Sequence, residues 1–146
     1  PRVRRQRQMC IRDSSNMLTI HLESKGDTTA NLKYIKKSGM NAGLAIKPAT
    51  DWKEVIPYLP LCDMVLVMTV EPGYGGQGFI PQCADKVAML RKYCNENGFD
   101  KMNIQVDGGI NTATAATVKD AGANVLVAGT YLFRAKDMKA AADAIR

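Results

Sequence analysis

The sequence predicts an α/β fold of the (βα)8 TIM-barrel class, truncated to about five βα units. Three observations predict it. Five strand-length apolar runs alternate with helix-forming stretches. None of the runs alternates cleanly with polar residues, which is how strands covered on both faces read. Each run is followed by polar or glycine-rich residues, always at the same end.

The runs are Leu18–Leu22, Gly43–Ile46, Met64–Thr69, Asn103–Val106 and Val125–Ala128. Between the first two, Asp27 is placed to cap a helix over Thr28–Ser38, with Leu32, Ile35 and Met40 as its apolar stripe and Gly39 as its stop. Thr50 or Asp51 caps a short helix through Trp52, Val55 and Ile56, which Pro57 should end or kink. Pro81–Asn97 carries Val87, Leu90 and Cys94 at helical spacing and closes at Gly98. Asn111 or Thr112 caps Thr114–Ala121, closed by Gly122. Ala135–Ile145 is Ala-rich and amphipathic.

A regular βα repeat calls for a parallel sheet, either an open doubly wound sheet or a barrel. No G-x-G-x-x-G follows the first run, which argues against dinucleotide binding. The strand ends favour the barrel. His21-Leu22-Glu23, Lys47-Pro48, Glu71–Gln77, Asp107-Gly108-Gly109 and Gly129-Thr130 would form one ring at its C-terminal face. An open sheet would concentrate its site at one switch point.

The chain has 146 residues, 46% hydrophobic and 23% charged, the mix of a soluble globular domain. No run approaches a membrane span, and no apolar segment follows the basic N-terminus as in a secretory signal. Cys10, Cys62, Cys83 and Cys94 have no metal-ligand spacing and read as thiols of a reducing, cytoplasmic compartment. The net charge is +6, of which residues 1–14 contribute +4 through five Arg and one Asp. The body is nearly neutral, so neither a nucleic-acid nor a membrane partner is expected. Residues 4–14 resemble a translated transposase adapter of the kind used in sequencing libraries. Residues 1–14 are therefore expected to be a non-native tail, with the natural chain continuing upstream of Ser15; the alternative is a basic arm that binds nucleic acid.

Three motifs carry candidate chemistry. Four Gly in six residues (Gly73, Gly75, Gly76 and Gly78) either let the backbone cradle an anion or make a flexible connection. Asp107, beside Gly108 and Gly109, either faces a bound substrate or metal or starts a turn. Gly129-Thr130 ends the last strand, where barrels often build phosphate sites.

Together these segments resemble the ribulose-phosphate 3-epimerase family from its fourth barrel strand onward. Ile20-His21-Leu22-Glu23 is similar to the end of the fourth strand, and Gly43–Thr50 to the fifth. Leu66–Gln77 is similar to the sixth strand and its mobile loop. Ile104–Ile110 and Val125–Thr130 are similar to the seventh and eighth. On that resemblance residues 15–146 are the C-terminal part of a ribulose-phosphate-binding barrel. The activity implied is interconversion of D-ribulose 5-phosphate and D-xylulose 5-phosphate, a step of the pentose phosphate pathway. The implied mechanism is metal-assisted two-base proton transfer through an enediolate, with zinc or iron, or else manganese or cobalt. Asp107 is implied as one acid/base and as a metal ligand. Gly73, Tyr74, Gly75, Gly76, Asp107, Gly108, Gly109, Gly129 and Thr130 are implied as contacts to a phosphorylated ketopentose. Met68 is implied as a wall of the metal site, and the parent enzyme as a homo-oligomer. Lys47 and Glu71 are given supporting roles.

The departures from the family pattern are as informative. The strands that carry the second catalytic Asp and the His ligands have no counterpart here, and His21 falls on the fourth strand, away from them. The fragment is therefore expected to be inactive alone, with its first and last strands as exposed edges. The rival readings are a hexulose-6-phosphate 3-epimerase and a non-catalytic phosphate-binding half-barrel.

Overall fold

The computed structural model describes residues 15–73 and 75–146. The predicted tail, residues 1–14, and Tyr74 lie outside the described residues. Five parallel strands form one sheet in the order β1 to β5: β1 Met17–His21, β2 Asn41–Ile46, β3 Met64–Met68, β4 Asn103–Asp107 and β5 Val125–Val127. The helices are α1 Thr28–Lys37, α2 Gln82–Glu96, α3 Thr112–Asp120, α4 Gly129–Phe133 and α5 Met138–Ile145, and a 3₁₀ segment spans Trp52–Leu61.

Strand order equals chain order, with no reversal. Parallel strands joined by right-handed crossovers then carry their connecting helices on one face. A doubly wound sheet needs a reversal, so the order selects the barrel alternative. Two in-register rows face the helices: Ile20, Leu44, Val65 and Ile104, then Ile46, Val67, Val106 and Leu126. They join a core with Leu32 and Ile35 of α1, Val55 and Leu59 of the 3₁₀ segment, Val87 and Leu90 of α2, Val118 of α3 and Ile145 of α5. The opposite face carries the row His21, Ala45, Leu66, Gln105 and Val125, half-buried except at Ala45, which is buried.

Local chemistry explains most of the boundaries. Asp27 caps α1 by accepting from the Ala30 N–H at 3.0 Å. Of the two candidates at the next element, Asp51 is the cap; of the two at α3, Asn111 is. Pro57 does not end its element, which runs on as a 3₁₀ segment through Pro60 to Leu61. The fixed proline φ suits 3₁₀ geometry, and tight turns tolerate the lost N–H better than a long α-helix does. The last strand stops at Val127 rather than Ala128, because Ala128 caps α4, an element the periodicity did not reveal. The final helix begins at Met138 rather than Ala135, with Asp137 as its cap. Among the described residues, no helix is long and apolar enough to cross a membrane.

Candidate active site

The C-terminal ends of β3, β4 and β5 build one open cavity of about 1020 Å³. Parallel register sets Met68, Asp107 and Val127 side by side on the helix-free face at that end. Asp107 therefore sits between two apolar neighbours, half-buried. Burial pushes its carboxyl above the usual carboxylate range. A raised value makes the carboxylate a stronger base, which suits a group that must take up a proton near neutral pH.

The glycine-rich loop is pinned at its base by Thr69, which is fully buried. The Thr69 N–H donates to the Asp107 carbonyl at 2.9 Å, and its hydroxyl donates to the Gly108 carbonyl. The loop returns where the Ile80 N–H donates to the Thr69 carbonyl at 2.9 Å. Both ends of the loop thus converge on one residue, while Gly73, Gly75 and Gly76 remain exposed. Inside the loop, the Gln77 side-chain amide donates to the Glu71 carbonyl at 2.6 Å.

Gly108 and Gly109 are glycines for a steric reason. Both have positive φ, 124° and 66°. A Cβ on Gly109 would lie 2.5 Å from the Phe79 backbone nitrogen, and one on Gly108 would lie 2.4 Å from Val70 Cγ2. The two ends of the loop therefore pack directly onto the backbone that follows Asp107. Thr114 donates its hydroxyl to the Gly109 carbonyl at 2.9 Å, which joins that turn to the first turn of α3. Across the cavity Gly129 and Thr130 open α4, where the first N–H groups have no intrahelical acceptor. A Cβ on Gly75 would stand 3.6 Å from Thr130 Oγ1, so the loop faces α4 at close range.

Every described residue of the predicted site, namely Met68, Gly73, Gly75, Gly76, Asp107, Gly108, Gly109, Gly129 and Thr130, lines this cavity. Glu71 lines it as well, whereas Lys47 is not among the lining residues. Tyr131 and Arg134 also line it and were not read from the sequence. Tyr131 shares a hydrogen bond of 2.9 Å with the Thr112 hydroxyl, linking α4 to α3. Its signal was hidden because α4 spans only five residues.

The donor set does not complete a divalent metal site. A catalytic zinc site takes three protein ligands from His, Cys, Asp or Glu and leaves a position open. Among the described residues no three of these converge. His21 lies off the cavity, its Nδ1 3.4 Å from a Glu23 carboxylate oxygen.

Known proteins share both the sequence and the fold. Residues 3–133 match the ribulose-phosphate 3 epimerase family. A ribulose-phosphate 3-epimerase of Chlamydia pneumoniae is 40% identical over 129 residues, 88% of this chain and 56% of that protein. The Candida glabrata enzyme of the same name is 46% identical over 123 residues, 84% of this chain and 48% of that protein. The Escherichia coli one is 36% identical over 132 residues, 90% and 58%. The chain thus spans about half the length of the curated relatives it matches. A crystal structure of 3-hexulose-6-phosphate synthase superposes with a TM-score of 0.66 at 18% identity, over 96% of this chain and 65% of that one, a likeness of fold. Sequence, strand order and cavity agree, and the chain belongs to the ribulose-phosphate 3 epimerase family.

Proposed function

We propose that this chain carries the phosphate cradle and one of the two acid/base groups of an enzyme that interconverts D-ribulose 5-phosphate and D-xylulose 5-phosphate. The observation that carries the reading is the convergence of Asp107 with three glycine-bearing segments on one cavity. The two sugars differ in configuration at C3 alone. Removing the C3 proton beside the C2 carbonyl leaves an enediolate, and returning a proton to the opposite face inverts the centre. Inversion therefore needs a group on each face. Asp107 serves one face, and its apolar neighbours Met68 and Val127 keep its proton affinity high.

The substrate phosphate lies among the backbone N–H groups of Gly75-Gly76, Gly108-Gly109 and Gly129-Thr130. Tyr74 belongs to the same segment in the proposal. Backbone donors fixed by a pinned loop need little reorganisation when the anion arrives. The opposing acid/base and the remaining ligands of a divalent metal, zinc or iron, come from outside the described residues. Asp107 offers that metal a single oxygen donor group.

The reaction in deuterated water tests this reading. A protein extended through the strands that the relatives have and this chain lacks should exchange the C3 proton of D-ribulose 5-phosphate and form D-xylulose 5-phosphate. Asp107→Asn in that protein should slow formation of the epimer by about 10²–10⁴-fold. Residues 15–146 alone should give no turnover. Epimer formation unchanged by Asp107→Asn, or a rate higher with a hexulose 6-phosphate, would reject the assignment.

A further inference from the structure

Away from the cavity lining, one partly buried cation, Lys86, is not used by the proposed chemistry. Lys86 lies on the second turn of α2, and its ammonium reaches the turn that follows β2. Its Nζ donates to the carbonyls of Lys47 at 3.0 Å, Pro48 at 2.8 Å and Thr50 at 2.5 Å. An ammonium has three protons to donate, and all three go to this one four-residue turn. The Glu23 carboxylate holds the turn from its other side. It accepts from the Lys47 N–H at 2.9 Å and from the Thr50 hydroxyl. Burial pulls the Glu23 carboxyl upward, and those hydrogen bonds outweigh it, so it stays ionised below its ordinary value.

A lysine tip held by three carbonyl oxygens of one turn, which a carboxylate braces from its other side, stands where an oxygen-ligated cation would stand. Rings of carbonyl oxygens are what replace the hydration shell of a potassium ion. We propose that the turn Lys47–Thr50 is a monovalent-cation site whose resident cation is the Lys86 ammonium, and that removing this ammonium opens the site to a soluble potassium or ammonium ion. The consequence lies in the architecture. Lys86 fastens the loop at the end of β2 to α2, the helix into which the glycine-rich loop runs after Phe79. It is a positioning residue for that loop and touches nothing that reacts.

Thermal melts of the full 146-residue chain at low micromolar concentration test this with the chloride salts of potassium, ammonium and tetramethylammonium at equal ionic strength. Tetramethylammonium can neither donate a hydrogen bond nor enter a site of that size. Lys86→Ala should melt roughly 5–10 °C below the parent in tetramethylammonium. In potassium or ammonium it should recover at least about half of that loss, saturably, while the parent melts alike in all three salts. Equal melting of Lys86→Ala in the three salts would overturn the proposal. So would a Tm in tetramethylammonium equal to the parent's. If Lys86→Ala does not fold, nitrogen-detected spectra of the parent decide. An ammonium held by three carbonyls exchanges slowly and gives a resolved signal that Lys86→Arg removes. Absence of any such protected ammonium would reject the site.

Discussion

At the scale of single residues, Asp107 is under opposing demands. Its folded form holds its proton to higher pH than a free carboxyl does, because burial disfavours the charge. Between the ordinary carboxylate value and the raised one, the folded chain binds more protons than the unfolded chain. Stability linked to Asp107 is therefore present at low pH and lost as pH rises through that window. Asp107→Asn should consequently raise the Tm at pH 7, by less than about 4 °C for a group so partly solvated. The gap should close below about pH 4, where both side chains are neutral. Melts from pH 3 to 8 check this, and a variant less stable than the parent at pH 7 would contradict it. Gly109 makes the opposite case. Alanine there must hold a φ of 66° with its Cβ against the Phe79 backbone nitrogen. Left-handed strain and a backbone clash together should cost about 2–4 kcal/mol, read as a lower urea midpoint.

At the scale of elements, the ends carry most of the information. The Asn111 side chain accepts from the N–H groups of Ala113 and Thr114, and the Thr114 hydroxyl accepts from the Asn111 N–H, a reciprocal cap on α3. Asn111→Ala should lower stability by about 1 kcal/mol, with an unchanged denaturant slope. A larger loss would mean that the Gly109 turn depends on the cap through Thr114. Residue type and offset made this cap legible in the chain, as they did Asp27. The 3₁₀ segment and α4 were not legible. Pro57 reads as a helix stop, but its φ is equally at home in the tighter helix, and only packing of Val55 and Leu59 into the core chooses that form. Five residues are too few for α4 to show a helical period. The clamp on the β2 loop was hidden for a different reason. Lys86 and its acceptors stand 36 to 39 positions apart, and nothing local marks them as partners.

At the scale of the whole molecule, β1 and β5 are the edges of the sheet among the described residues, and the helix-free face is half-buried at His21, Leu66, Gln105, Asp107, Val125 and Val127. Unpaired edge groups invite strand pairing with another copy, and Phe133, 81% exposed just beyond β5, adds apolar surface there. Residues 15–146 should therefore self-associate as concentration rises, seen as a growing sedimentation coefficient. A single species of unchanging size from micromolar to millimolar would contradict this. By itself, the sequence determined the run of βα units, the caps that side-chain chemistry announces, and the motifs at the strand ends, all of them local patterns. Tertiary structure alone decided the 3₁₀ form of Trp52–Leu61, the turn of α4 that brings Tyr131 and Arg134 to the cavity, and the reach of Lys86 to the turn after β2. Those relations are set by register, handedness and packing between residues far apart in the chain, where no local pattern records them.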